Sequence, residues 1–363
     1  MKKILFVLFQ DFALIPDGGD QCNKRNLDAI YSICGENNVD IFYLRKSCRT
    51  NIMELCRFVF YLDAGYYRAV TPTIIKDIYK KAQNYECVFL SSSLFGKIAQ
   101  TLRMLGYKGK IITQFHNVET SYYQAVLPKY LPFRKRIINC IAENERLACL
   151  FSDVRLALNR RDESALNSLT KYKIDFVIPI TLKDKYKTTD SHSIVMTGKK
   201  PLVVFIGSNF PPNANGVLWF VDKVLPFVDI NLLIVGKDMN ILKEKHPNLK
   251  SIDVKSNVPN LAPYFEIADI VISPIFSGSG MKVKTCESLM YGKNIIGTNE
   301  AFEGYELDYD KVGKLANTAQ EFIDYIQTIC KNPIPRFNDY SRKIYLEKYS
   351  NESVVQKFQT ILK

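Results

Sequence analysis

The 363-residue sequence predicts an α/β protein made of two doubly wound parallel sheets. Three observations carry that expectation. Short apolar, β-rich runs alternate with longer segments of helical period. The runs are continuously apolar, as strands covered by helices on both faces must be. The alternation stops at a polar stretch and then restarts, which makes two sheets rather than one. The length agrees, at about 150 residues per domain.

Taken in order, the first half places strands at 4–9, 39–44, 87–91, 110–115, 154–158 and 176–180, with helices such as 21–34, 94–105 and 134–151 between them. The second half places strands at 202–207, 232–235, 270–274 and 295–297, with helices at 215–227, 281–291 and 318–330. Residues 181–200 are polar, basic and without period, and mark the boundary. The expected layout is a basic N-terminal domain at 1–182, a linker at 183–200, a second domain at 201–340, and a helix at 341–363 that packs back on the first domain. In sheets of this kind ligands bind outside the carboxyl ends of the strands, so the cleft between two such domains is the expected site.

Composition narrows the class. The chain is 47% hydrophobic and 24% charged, which excludes a disordered, collagenous or coiled-coil protein. Its formal net charge is +12, and the first 180 residues hold 26 Lys and Arg against 17 Asp and Glu. An anionic partner follows, either a substrate or lipid headgroups met by the basic run Arg134-Lys135-Arg136 or by Arg160-Arg161; a plain solvated surface is the simpler reading of any one cluster. The apolar run at 4–9 is far shorter than the ~18–20 residues of a membrane span. Met1-Lys2-Lys3 before that run imitates a signal peptide, but Gln10-Asp11 interrupts it and no small-residue cleavage site follows. Nine Cys without a C-x-x-C pair argue against a disulfide framework or a metal cluster and for a reducing compartment. The expected location is cytoplasmic, with peripheral contact at the inner face of the membrane.

Chemistry concentrates in residues 274–304. A strand runs into Phe276-Ser277-Gly278-Ser279-Gly280, and a helix starts near Met281 carrying Lys282, Lys284 and Glu287. Glycines between a strand and a helix let backbone N–H groups approach a phosphate, and the helix N-terminus adds partial positive charge. Lysines in a first turn oppose the helix dipole, a cost that a bound anion offsets. Glu287 lies one turn beyond Lys284, where its carboxylate can accept the hydroxyls of a ribose. The plainer alternative is an ordinary turn with an exposed i,i+3 pair. The third glycine of a dinucleotide fingerprint is absent, Val283 standing in its place, and there is no P-loop.

The stretch G-S-G-M-K-V-K-T-C-E-S-L-M-Y-G-K-N-I-I-G-T at 278–298, with A-F-E-G-Y at 301–305, resembles the donor segment of bacterial family-four-type glycosyltransferases of the GT-B fold. Three further segments agree in order and spacing: Pro16-Asp17-Gly18-Gly19; Phe115-His116-Asn117-Val118-Glu119; and Phe205-Ile206-Gly207-Ser208 with Pro212-Asn213-Ala214-Asn215. The resemblance implies two Rossmann-like domains and retaining transfer from a nucleotide-sugar donor to a saccharide or lipid-linked glycan, in capsule or lipopolysaccharide assembly. It implies that Glu287 holds the donor ribose, and that Gly278, Ser279, Gly280 and Met281 face the diphosphate and sugar. Lys284, with Lys282, would neutralise the leaving diphosphate. Gly18 and Gly19 would form the glycine turn of the first domain, Gly207 and Ser208 would belong to the donor pocket, and His116 would face the reacting sugar. Fixed dipoles and lysine charge on the leaving group leave no need for a metal, so no cofactor is expected.

Two departures stand out. Family members often carry a second Glu where this chain has Ser279, and many have Arg and Lys in the loop that here reads Ser208-Asn209-Phe210-Pro211-Pro212-Asn213. They leave two rivals open, a nucleotide-sugar epimerase on the same fold and a non-catalytic nucleotide-sugar or glycan binder. No nucleic-acid recognition motif is present. Asp308-Tyr309-Asp310 matches a metal-binding D-x-D but reads as a surface loop. Residues 52–62 with Tyr66-Tyr67-Arg68, and 130–136, read as packed core or as membrane-facing segments.

Overall fold

A computed structural model describes residues 2–12, 18–45, 60–187, 200–278 and 280–363. The chain forms two units, Met1–Pro179 with Val354–Lys363, and Ile180–Ser353. In the first, six parallel strands, β1 (Ile4–Leu8), β2 (Val39–Tyr43), β3 (Cys87–Leu90), β4 (Lys110–Phe115), β5 (Val154–Ala157) and β6 (Phe176–Val177), lie in the order β2-β1-β3-β4-β5-β6. β1 explains why the sheet needs two covers: Ile4, Phe6 and Leu8 enter one apolar core, Leu5 and Val7 the other. Phe6 stacks on Phe89 of β3 with ring centroids 4.6 Å apart. The last helix, Asn351–Leu362, sends Val354, Phe358, Ile361 and Leu362 into the first of those cores. Lys2 Nζ donates to the Leu362 carbonyl at 2.6 Å and Lys110 Nζ to that of Ile361 at 2.9 Å, cations at the end where the helix dipole favours them.

The second unit repeats the plan with β7 (Leu202–Ile206), β8 (Asn231–Gly236), β9 (Asp253–Ser256), β10 (Ile270–Ser273), β11 (Asn294–Gly297) and β12 (Gly313–Leu315), in the order β12-β11-β10-β7-β8-β9 and all parallel. Val203 and Phe205 face one core, Val204 and Ile206 the other. Two expectations of layout change. The described part of the expected linker, 183–187, is built into this unit: Arg342 grips the Asp184 carboxylate through both terminal nitrogens, at 3.0 and 2.5 Å, and lies 4.8 Å over the Tyr186 ring. Of the segment 341–363, only Val354–Lys363 belongs to the first unit, while the helix Asp339–Ile344 and Tyr345–Tyr349 belong to the second.

Candidate active site

In the second sheet the chain runs from β7 toward β8 and β9 on one side, and from β10 toward β11 and β12 on the other. The loops after β7 and β10 therefore diverge and leave a crevice at the carboxyl edge, the switch point where such sheets bind ligands. The expected donor residues converge there. Lys284 is the second residue of the helix Val283–Met290, and its Nζ donates to Asn213 Oδ1 and lies 4.9 Å over the Phe205 ring. Asn213, on the helix Pro211–Lys223, turns its Nδ2 to the Ser208 carbonyl at 3.0 Å and so ties the post-β7 loop to Lys284. Gly207 is required by this arrangement, since a Cβ there would stand 3.0 Å from Lys284 Nζ and 3.1 Å from Asn213 Nδ2. Gly216 lets the same helix close on the end of β10, where a Cβ would overlap the Pro274 carbonyl oxygen.

Electrostatics separate the charged residues. Burial pushes the Lys284 amine down to about 7, with Lys282 adding repulsion against the attraction of Glu287. Burial likewise raises the Glu287 carboxyl, opposed by Lys185 and Lys284. The Glu287 carboxylate makes no hydrogen bond among the described residues, and the first turn of its helix has no side-chain cap. Lys282 is differently placed. As N-cap of that helix it donates to the Gly280 carbonyl at 2.7 Å and to Glu300 Oε1 at 2.5 Å, so it fastens the glycine loop to the segment after β11. Gly278 at φ 150° and Gly280 at φ 66° hold that loop in backbone conformations that side chains rarely adopt. The Met281 side chain is buried in the core beneath the loop, and its Sδ receives the Ile180 N–H. Ser279 lies outside the described residues.

The first-unit candidates stand at the carboxyl edge of their own sheet. Gly18 and Gly19 open the helix Gly18–Cys34 that follows β1; Pro16 and Asp17 lie outside the described residues. His116 follows β4 and reaches across to β3, where its Nε2 donates to the Ser91 carbonyl at 2.8 Å. Its Nδ1 is buried with no hydrogen-bond partner among the described residues. Burial pushes the Glu119 carboxyl up to about 7 against the pull of His116. Residues 52–59 of the apolar segment lie outside the described residues, but Leu62 and Tyr67 are buried. Asp308 caps the short helix Tyr309–Val312 and pairs with Lys311 at 3.0 Å, and Asp310 pairs with Lys314, which accounts for the D-x-D pattern as a helix start. Three contributors to the second-unit site escape a reading of spacing alone: Asn213, Glu300 and the strap residue Lys185. P-N-A-N after the first strand is the signal that points to Asn213.

Known proteins share this fold. Residues 200–332 match the family model of the glycosyl transferases group 1. A curated Klebsiella pneumoniae relative, described as an uncharacterized 44.6 kDa protein in the cps region, is 26% identical over 310 residues, covering 78% of this chain and 75% of the relative. HepE of Anabaena, solved in complex with UDP, superposes with a TM-score of 0.69 at 13% identity over 99% of each chain. Sucrose-phosphate synthase of Thermosynechococcus elongatus gives 0.70 at 13% identity over 99% and 98%. A glycosyltransferase of Rickettsia africae gives 0.63 at 17% identity over 99% and 97%. The fold is therefore that of the two-domain GT-B proteins, and residues 200–332, within the second unit, match the glycosyl transferases group 1 model.

Proposed function

We propose that this protein is a glycosyltransferase that moves a hexose from a nucleotide-sugar donor to a saccharide or lipid-linked glycan, with retention at the anomeric carbon, in the assembly of an envelope polysaccharide such as capsule or lipopolysaccharide. One observation carries the donor assignment: Lys284, desolvated and tied to Asn213, stands one turn from the Glu287 carboxylate, which makes no hydrogen bond among the described residues, at the switch point of the group 1 domain. A diphosphate arriving there restores the Lys284 charge and meets the uncapped N–H groups of the helix. Both interactions strengthen as negative charge builds on the departing diphosphate, which lowers the barrier to transfer. Glu287 accepts the ribose hydroxyls, and Lys282, held by Glu300, shapes the loop rather than supplying free charge. These groups carry the leaving-group charge without a metal. His116 serves the transfer step, so His116→Ala keeps donor binding and loses turnover.

The retaining stereochemistry and the acceptor class rest on the family resemblance, and the polysaccharide setting on the cps-region relative. A cytoplasmic enzyme working at the membrane surface fits the basic first unit, where exposed Tyr130 and Phe133 stand among Lys129, Arg134, Lys135 and Arg136. No helix among the described residues is long and apolar enough to cross a membrane. The test is a thermal-shift panel of UDP-, GDP-, ADP-, CMP- and dTDP-sugars with a chelator present. A donor at 100 times its dissociation constant stabilises the fold by ~2.7 kcal/mol. One clear hit supports the site and names the nucleotide. Binding without turnover would favour the non-catalytic alternative to which Ser279 points, and release of an epimerised sugar nucleotide would favour the epimerase.

A further inference from the structure

The helix Arg134–Phe151 of the first unit buries two consecutive polar residues, Asn144 and Glu145, each 0% exposed, in a stretch whose other buried residues include Ile141, Leu147 and Ala148. Burying such groups is unfavourable unless hydrogen bonds compensate, and apolar residues of similar volume pack as well. Both side chains are engaged, and chiefly on the backbone of other segments. Asn144 Oδ1 accepts the Lys97 N–H at 2.9 Å, and its Nδ2 donates to the carbonyls of Gly65 at 2.8 Å and Cys140 at 2.9 Å. Glu145 Oε1 accepts the Glu119 N–H at 2.7 Å. Its Oε2 accepts the Thr120 hydroxyl at 2.7 Å, with the Thr120 N–H more distant at 3.4 Å.

The two places they hold are alike. The helix Gly96–Met104 follows β3 and the helix Glu119–Val126 follows β4. Neither is capped by the side chain of its own N-cap residue, Phe95 or Val118. The first N–H groups of a helix need acceptors from outside it, and Asn144 and Glu145 supply one to each. Gly96 permits the close approach, since a Cβ there would overlap the Asn144 carbonyl oxygen. Only residues 91–95 separate β3 from its helix, and only 116–118 separate β4 from its own. Those two short connections carry the two ends of one hydrogen bond, His116 Nε2 donating to the Ser91 carbonyl at 2.8 Å. We infer that Asn144 and Glu145 form a clamp that positions His116: Glu145 fixes the connection that carries the imidazole, and Asn144 fixes the connection that carries its Ser91 partner. Both act on His116 through the backbone, so they are positioning residues. The inference rests on the role of His116 in transfer proposed above.

The test joins a spectroscopic readout to a kinetic one in the full chain. The chain has three His, at 116, 192 and 246, so nitrogen-15 histidine labelling resolves the Nε2–H of His116, with His116→Gln assigning its signal. Held on Ser91, that proton should exchange slowly with water. Turnover is read as nucleoside diphosphate released from the nucleotide-sugar selected by the thermal-shift panel, with water as the acceptor. Glu145→Ala should abolish or broaden the His116 signal and lower kcat about ten- to a hundredfold, while the donor KM stays within about twofold. Glu145→Gln keeps an oxygen for the Glu119 N–H and should recover much of both. Asn144→Ala should weaken the same signal from the Ser91 side. Leu147→Ala, a buried change in the same helix, controls for stability: compared where both variants are equally folded by circular dichroism, it should keep the signal and kcat. If Glu145→Ala folds poorly, Thr120→Val removes one bond of the clamp and reads the same two quantities. An unchanged His116 signal and kcat in the clamp variants, or an equal loss in Leu147→Ala, would overturn the clamp. A lost signal combined with unchanged transfer in His116→Gln would leave the clamp standing and remove His116 from the transfer step instead.

Discussion

The two units are built alike and finished differently. Each has six parallel strands, a lead strand buried on both faces, and a switch point at its carboxyl edge. In the first unit several polar groups near that edge close on one another, Arg25 on Cys22, Asn26 on Gln114 and His116 Nε2 on Ser91, while His116 Nδ1 and Ser93 Oγ are buried without a hydrogen-bond partner among the described residues. In the second they are left incomplete, with Lys284 desolvated, Glu287 without a hydrogen bond among the described residues and the helix start uncapped. A buried polar group that is satisfied holds a position, whereas one left half-satisfied at the mouth of a switch point marks where a ligand completes the site. The contrast fits the donor site proposed for the second unit and a His116 ring held through Nε2 on Ser91 in the first.

The comparison breaks first where the units are stabilised. Phe358→Ala empties a fully buried site that packs against Phe89, with ring centroids 6.1 Å apart, in the first unit. It should cost ~3–5 kcal/mol of stability by chemical denaturation, while the protein that remains folded still binds donor. Next comes Glu287→Ala, which removes a charged acceptor and should weaken donor binding by ~1.5–3 kcal/mol, roughly ten- to a hundredfold, with the ligand-free melting temperature little changed. Donor affinity unchanged by calorimetry in that variant would withdraw Glu287 from the site.

A pH series sharpens the assignment of Lys284. Burial pushes its amine down to about 7 in the free protein, and a bound diphosphate should raise that value. Affinity should therefore be flat below this pH and fall by up to ~tenfold per pH unit above it. Lys284→Met should bind weakly and lose the dependence. The smallest effect is expected of Gly207→Ala, whose methyl displaces the Lys284 amine and Asn213 by a few tenths of an ångström. Donor KM should rise several-fold with stability little altered, measured by steady-state kinetics and thermal melting.

How far the sequence discloses this molecule depends on burial. Interior strands such as β1 and β7 are unbroken apolar runs and are legible within a residue of their ends. The two strands that spacing misses, β9 with Asp253-Val254-Lys255-Ser256 and β12 with Gly313-Lys314-Leu315, lie at the sheet edges, where one neighbour is missing and polar residues are tolerated. The same logic governs the site. Lys284 and Glu287 are one helical turn apart and can be paired on paper. The fastening of Lys282 to Glu300, 18 residues on, depends on how the loop after β11 returns, and no local period records it. His116 and Ser91 are 25 residues apart, and only the pairing of β3 with β4 brings them together.

The central claim is that Lys284, its pKa pushed down by burial, regains full charge when a diphosphate binds. Calorimetric titration with the nucleotide-sugar selected by the thermal-shift panel, at about pH 8 in buffers of different ionisation enthalpy, reads that directly. The account predicts uptake of close to one proton on binding, abolished in Lys284→Met. Binding of the same donor with no proton taken up in the wild type would contradict it.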